Sequence, residues 1–207
     1  MNPYTIVNLF EKEVADYTGA PYAVAVNSCT SALFLSLKYR TRKDYIVSIP
    51  KYTYKSVADA IVSSGCKIHW LDKVWTGVYE LEPFNIWDAA KRFTSGMYSG
   101  GDMCLSFHGR KILNIGEGGM ILTDNKKADM WYRLARFNGR HEVNYYDDTF
   151  AMIGWKMNMA PEQAARGLTL MNFIKRNNPD QIEAYTNLSG YEFYKPYVSE
   201  KPWNQYV

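Results

Sequence analysis

Between residues 22 and 124, short runs of apolar or β-branched residues alternate with stretches of helical character. This alternation is typical of α/β domains, in which helices connect the strands of a largely parallel sheet. The predicted strands are 22–27, 45–50, 67–71, 85–88, 103–107 and 120–123, and the predicted helices are 31–38, 56–64, 126–137 and 161–174. The sequence therefore predicts an α/β fold with a mainly parallel central sheet flanked by helices.

The chain divides by pattern into a body, residues 1–175, and a tail, residues 176–207. With 207 residues, of which 47% are hydrophobic, the chain is long enough for one sizeable core, which we expect in the body. The tail is rich in aromatic residues but has weak periodicity. We therefore expect an irregular arm that packs on the body or on a partner subunit.

Charge and cysteine content narrow the possible classes of function. The 24 basic and 21 acidic residues leave a net charge of only +3, so binding of nucleic acid or of an anionic membrane by charge alone is not expected. The three cysteines are widely spaced, unlike those of zinc sites or disulfide-rich secreted domains, and no metal site is predicted. Because the amino terminus has no continuous apolar run, we expect neither a signal peptide nor a membrane anchor, and a cytoplasmic protein.

Ligands of open α/β sheets bind beyond the carboxyl ends of the strands, so polar residues just after the predicted strands are candidates for function. The segment 27–32, Asn-Ser-Cys-Thr-Ser-Ala, leads from a strand into a helix, and its hydroxyl and N–H groups could bind a phosphate. Taken alone, Ser28 or Thr30 is more often a simple helix cap. Tyr54 follows the next strand and could lie flat on a planar ligand, although an aromatic there is more often a packing residue.

Asp88 ends the strand 85–88 and needs a partner for its carboxylate. A protonated pyridine nitrogen is one such partner, and a helix cap ahead of two alanines is an equally good interpretation. Lys111 lies in a loop between His108-Gly109-Arg110 and the later Gly-Glu-Gly-Gly at 116–119. Neighbouring cations or burial could make its amine nucleophilic, whereas a lone lysine is usually a solvated surface residue and the glycines could form only a tight turn.

Taken together and in this order, these motifs resemble the DegT/DnrJ/EryC1/StrS family of sugar aminotransferases, which have pyridoxal 5'-phosphate (PLP) fold type I. The resemblance runs from Phe10 to Met171, through FEKEVADYTGAPYAVAVNSCTSAL, IPKYTY, GCKIHWLD, WDAA, SFHGRKILNIGEGGMILTD and IGWKMNMAPEQAARGLTL. The block SFHxxKxxxxGEGG is highly specific to that family. The other segments are individually weak but occur in the expected order.

The resemblance implies roles for the catalytic residues. Lys111 would form the internal aldimine with PLP and then move the proton between cofactor and substrate. Asp88 would pair with the pyridinium nitrogen, and Tyr54 would stack on the ring. An amino group would pass from an amino acid, typically glutamate, to a nucleotide-linked keto-sugar.

The resemblance also implies further contacts to the cofactor. Ser106, together with Thr30 and Ser31, would hold the PLP phosphate. Lys156 would reach across a homodimer interface toward the neighbouring subunit's cofactor, so that the active site lies at that interface.

The chain departs from the family in length and at two positions of the site. Compared with the family, the segment between Asp72 and Asp88 is short, and we expect the small carboxyl-terminal domain to be largely absent from these 207 residues. Cys29 stands where a glycine is usual, and Lys91 where glutamine or histidine is usual near the cofactor's phenolic oxygen. Lys91 could donate to that oxygen or be an ordinary solvated lysine. A non-catalytic or regulatory remnant, and a PLP enzyme for a small amino acid, stay open as alternatives.

Overall fold

The computed structural model describes residues 4–203. Five α-helices lie in this part of the chain, namely α1 (Thr5–Thr18), α2 (Cys29–Arg40), α3 (Lys55–Ser64), α4 (Lys126–Ala135) and α5 (Pro161–Met171). Seven strands accompany them, namely β1 (Tyr22–Val26), β2 (Ile46–Pro50), β3 (Lys67–Leu71), β4 (Tyr79–Leu81), β5 (Ile86–Asp88), β6 (Asp102–Ser106) and β7 (Gly119–Thr123). The predicted α/β class is confirmed.

The central sheet has five strands in the order β1-β7-β6-β5-β4, and β2 and β3 form a separate parallel pair. Strand β7 pairs antiparallel with both β1 and β6, and β4 pairs antiparallel with β5, so β5 and β6 are the one parallel pair in the described five-stranded sheet. The prediction of a mainly parallel sheet is therefore wrong for the pairing of neighbours, since the sheet is mixed. The four-residue connection between β4 and β5 is too short for the crossover that a parallel pair requires.

The strands that precede the predicted site residues nevertheless run in the same direction, as expected for a site at one edge of the sheet. Because β7 lies antiparallel between β1 and β6, those two strands point the same way, as does β5. An antiparallel bridge between Ser48 of β2 and Glu82, next to β4, gives β2 that direction too. The carboxyl ends of β1, β2, β5 and β6 thus lie at one edge of the sheet.

Helices cover both faces of the central sheet because its strands bury side chains on both sides. In β1, Val24 and Val26 pack into the cluster with α2, α3 and α4, whereas Ala23 and Ala25 pack into the cluster with α1 and α5. This period of two is the ordinary alternation of side chains along a strand. The result is a three-layer body whose strand ends are held between rigid helices.

The segment 176–203, here called the arm, contains short 3-10 helices and neither an α-helix nor a strand. Tyr194 is its deepest anchor: its ring meets Trp70 with centroids 5.7 Å apart, and its hydroxyl donates to Asp59 over 2.7 Å. Leu188 is also buried. The arm packs on the body along these contacts, and its division from the body as a unit stays a prediction.

Candidate functional site

The carboxyl ends of β1, β2, β5 and β6 surround a cavity of about 580 Å³, a volume within the range of small-molecule sites. The side chains that line it at these strand ends and in the loop after β6 include six sequence-predicted site residues, namely Thr30, Tyr54, Asp88, Lys91, Ser106 and Lys111. His108 and Arg110 line it as well. Ser31 and Lys156, the other two predicted residues, do not line it.

The amino terminus of α2 forms one wall of the cavity. Ser28 caps the helix by accepting from the Ser31 N–H over 3.1 Å, and the Ser31 hydroxyl donates to the Asn27 side chain over 2.6 Å. Thr30 instead donates to Ser56 over 2.8 Å at the cavity surface. The Ser31 hydroxyl is therefore engaged at the start of α2. Of the two residues, Thr30 is the one whose hydroxyl a ligand in the cavity would contact.

The helix start is held close to β7 by a residue without a side chain. A Cβ added to Gly119 would lie 2.4 Å from the carbonyl carbon of Ser28, far closer than atoms approach. The backbone of the α2 start can reach this position because β7 begins with glycine there. Unpaired N–H groups and the positive end of the helix dipole then face the cavity, an arrangement that suits a phosphate.

Asp88 is buried, and its carboxylate is held from two sides. Oδ1 accepts from the Ala90 N–H over 2.9 Å, and Oδ2 accepts from the Tyr79 hydroxyl over 3.0 Å. Burial raises the pKa of Asp88, while these two hydrogen bonds and the neighbouring Lys111 oppose that rise. The interpretation of Asp88 as a helix cap is wrong, because no helix follows it among the described residues before β6 and its bond to the Ala90 N–H belongs to a turn. Its pairing with a ligand stays a prediction.

Lys111 and Lys91 share the cavity. Burial lowers the pKa of Lys111, and the positive charge of Lys91 lowers it further, whereas Cys29 and Asp88 act in the opposite direction. Lys91 is only 6% exposed and forms an ion pair with Glu183. Lys91 is therefore not the solvated surface lysine that one interpretation expected.

Residues 181–185 of the arm cross the mouth of the cavity, and sequence reasoning missed them. Glu183 pairs with Lys91, and the Tyr185 ring stacks on Trp75 with centroids 5.9 Å apart and planes 13° apart. Tyr54, which is half exposed, meets the Tyr185 ring edge-on at 6.3 Å. These contacts join residues far apart in the chain, so no local pattern of the sequence indicates them.

Lys156 lies outside this cavity. Its side chain is exposed, with the amine 5.4 Å from the centre of the Phe137 ring. Its expected role across a dimer interface therefore stays a prediction. Within residues 4–203, no three His, Cys, Asp or Glu side chains are grouped so as to hold a metal ion, and no helix is long and apolar enough to cross a bilayer.

The fold and this cavity together define an α/β domain with a polar cavity at the carboxyl ends of its strands, the place where such folds bind ligands. A profile of the DegT/DnrJ/EryC1/StrS aminotransferase family matches residues 1–99 and 95–190. The chain belongs to that family.

Among its relatives is the spore coat polysaccharide biosynthesis protein SpsC of Bacillus subtilis, 28% identical over 216 residues that cover 78% of this chain and 55% of SpsC. A UDP-4-amino-4,6-dideoxy-N-acetyl-beta-L-altrosamine transaminase of Campylobacter jejuni is 23% identical, covering 91% of this chain and 62% of that enzyme. The chain thus spans little more than half the length of these relatives.

A solved structure with the same fold is the sugar aminotransferase CalS13 of Micromonospora echinospora. It superposes with a TM-score of 0.69 at 19% identity, covering 82% of this chain and 60% of CalS13. At that identity the likeness establishes the fold.

Proposed function

We propose that this chain binds PLP through Lys111 and acts as an aminotransferase that moves an amino group from an amino acid, glutamate, to a nucleotide-linked keto-sugar. The observation that carries this proposal is the meeting of three features in one cavity: the Lys111 amine with a lowered pKa, the buried Asp88 carboxylate, and the open amino terminus of α2. Family membership agrees with it.

The residues of the cavity fit PLP in charge and in hydrogen-bonding character. The α2 start offers N–H groups and the Thr30 hydroxyl to a phosphate. Ser106 lies beside it, since Ser106 pairs with Gly119 and Gly119 approaches the Ser28 backbone. Ser31 contributes by supporting the Ser28 turn through its N–H. A buried carboxylate such as Asp88 is stabilised by a cation, which a protonated ring nitrogen would supply.

When bound, PLP would supply an electron sink that eases loss of a proton from the substrate carbon bearing the amino group. Lys111 Nζ takes that proton and returns it, so it must be able to exist as a neutral amine. Burial and the adjacent Lys91 cation favour that neutral state. Asp88, as a carboxylate, keeps the ring nitrogen protonated and therefore keeps the sink strong.

Tyr54 and Lys91 complete the contacts that we propose for the cofactor. Tyr54 lines the cavity and would lie against the ring, and Lys91 would face the phenolic oxygen as a donor. Tyr54 is not an isolated surface side chain, because the Tyr185 ring of the arm meets it edge-on. The arm therefore helps to shape the wall where the ring would bind.

We further propose a cytoplasmic homodimer in which Lys156 approaches the partner's site. Exposed apolar side chains near Lys156 in sequence support an interface on this side of the molecule, namely Val143, Tyr145, Tyr146, Phe150 and Ile153. Large exposed apolar groups in such numbers are typical of surfaces that bind another protein.

A half-reaction with glutamate tests the proposed activity. The chain loaded with PLP should convert glutamate to 2-oxoglutarate in an amount equal to the bound cofactor, and addition of a nucleotide-linked keto-sugar should allow further turnover. The Lys111→Ala variant serves as the control and should form no 2-oxoglutarate. Binding of PLP without any transfer from glutamate would instead favour a non-catalytic remnant or another amino donor.

A further inference from the structure

Two lysines, Lys91 and Lys111, line the same cavity, and the positive charge of Lys91 lowers the pKa of Lys111. Two ammonium groups in one cavity repel one another, most strongly where water is partly excluded. The pair therefore releases one proton readily, and either amine could be the one that becomes neutral. Only a neutral amine has the lone pair needed to attack a carbonyl.

Glu183 makes the two lysines unequal. Its carboxylate pairs with Lys91 and not with Lys111, and the Lys91 side chain is only 7% exposed. The hydrogen bond from Lys91 lowers the pKa of Glu183, so the carboxylate is ionised at neutral pH. A cation with a close anionic partner holds its proton, and the lysine without that partner gives its proton up first.

The arm fixes Glu183 beside Lys91. Arg92 donates to both carboxylate oxygens of Asp180 over 2.8 and 2.6 Å, and the Gln181 N–H donates to the Lys91 carbonyl over 2.9 Å. These contacts lie within three residues of Glu183 on its amino-terminal side. The carboxylate is therefore presented by an anchored segment.

The other titratable groups near Lys91 and Lys111 do not distinguish one lysine from the other. Burial raises the pKa of the Cys29 thiol and of the Tyr185 phenol, so both are neutral near pH 7. Asp88 acts on both lysines, since each opposes the rise in its pKa. Arg110, with a nitrogen 4.0 Å from Glu183, is largely exposed. Glu117, which also lines the cavity, lies 3.7 Å from His108. The charge of Glu183 acts on Lys111 as well, but its ion pair is with Lys91.

We infer that Glu183 is a positioning residue that decides which of the two neighbouring lysines is the nucleophile, by holding Lys91 as the cation and leaving Lys111 as the free amine. The inference deepens the proposed function, on which it rests for the identity of the carbonyl that Lys111 meets. The inference explains how Lys91 can lie in the same cavity as Lys111 without competing with it for the carbonyl.

Trace acetylation of the full chain without cofactor tests this inference directly. A lysine nitrogen forms a bond to one carbonyl carbon of acetic anhydride, the bond from that carbon to acetate breaks, and the extra proton on nitrogen passes to water. Labelling at a series of pH values, followed by peptide mass analysis, gives the midpoint for each lysine. Because the midpoint reports ionisation, unequal access of the two side chains does not determine it.

In the wild-type chain, Lys111 should be labelled in preference to Lys91. In Glu183→Gln, which removes the anion that pairs with Lys91, the ratio of Lys91 to Lys111 labelling near pH 8 should rise. Glu192→Gln is the matched control, since Glu192 lies in the same arm, is largely exposed and pairs with Lys195. An unchanged ratio in Glu183→Gln overturns the inference.

Lys91→Gln provides a second test that does not depend on the arm. Loss of the Lys91 cation should move the Lys111 midpoint to higher pH, and an unmoved midpoint also overturns the inference. Circular dichroism and the thermal midpoint establish that each variant is folded. PLP binding is measured separately: if PLP fails to bind while the labelling ratio still shifts, the proposed function fails and the inference about Glu183 stands.

Discussion

The hydroxyl of Tyr79 lies 3.0 Å from Oδ2 of Asp88 and also 2.5 Å from the Thr53 hydroxyl, and all three side chains are buried. Tyr79 belongs to β4 and Asp88 to β5, and the two residues are directly opposite in the antiparallel pair. The register of these two short strands thus places a hydrogen-bond donor against a buried carboxyl group at the centre of the site.

Removal of this hydroxyl should make Asp88 easier to protonate. Because the hydrogen bond from Tyr79 opposes the rise of the Asp88 pKa caused by burial, Tyr79→Phe should raise that pKa further. The affinity for PLP should then begin to fall at a higher pH than in the wild-type chain as the solution is acidified. Titration of PLP binding at several pH values measures this, and superimposable pH profiles would count against the role of Tyr79.

The close approach of β7 to the start of α2 should make position 119 intolerant of a side chain. In Gly119→Ala the added Cβ meets the Ser28 backbone at 2.4 Å, and overpacking of this kind costs about 1–3 kcal/mol. Urea unfolding measures the loss of stability. PLP titration should show weaker binding in the same variant. Gly190→Ala is the control, since a Cβ there meets nothing within 4 Å, and equal effects of both changes would contradict the prediction.

Glu11 should make the fold sensitive to acid. Burial raises its pKa, but the charges of Arg136 and Arg133 and the Ala25 N–H outweigh that effect, so the folded-state pKa is lowered. The stabilisation is therefore present above the unfolded-state pKa, about 4.3, and is lost as the pH falls toward the folded-state pKa.

Glu11→Gln tests this ion cluster. The change leaves Arg136, which is 1% exposed, without its buried anion and should cost about 3–5 kcal/mol at pH 7. Because the variant lacks the titrating group, its stability should depend less on pH below 4.3 than that of the wild-type chain. Urea unfolding across pH 3–7 measures both effects, and parallel curves would exclude Glu11 as the cause of acid sensitivity.

The pair of Arg92 and Asp180 should anchor the arm over the cavity. In Asp180→Asn the paired hydrogen bonds to Arg92 lose their charge, so segment 180–185 should be cut sooner by protease while the body resists. Timed digestion followed by mass analysis locates the cuts. Glu192→Gln again serves as control, and equal digestion of the three proteins would indicate that other contacts hold the segment.

Much of the body could be predicted because its strands are local apolar runs. The six predicted strands agree with the structure to within one residue at each end, since each contains a short apolar run. The three-residue strand Tyr79–Leu81 was missed, because it is too short to show alternation. Helix α1 was not predicted either, although Val7, Phe10 and Val14 carry helical spacing on its buried face.

The direction of strand pairing and the contribution of the arm to the site could not be predicted from local sequence patterns. The position of β7 between β1 and β6 brings together strands almost 100 residues apart in the chain, and no run of residues encodes that order. The contact of Glu183 with Lys91 spans 92 residues. Strand-end residues such as Asp88 were accessible to reasoning because the edge of a sheet collects them.

Identification of the lysine that bonds covalently to PLP tests the account most directly. The full chain is mixed with PLP, reduced with borohydride and digested with a protease, and the peptides are identified by mass spectrometry. The account predicts one labelled peptide, which carries Lys111, and no label at the other cavity lysine, Lys91, while Lys111→Ala takes up no label in the cavity. Label on Lys91 alone, or none on either lysine, would contradict it.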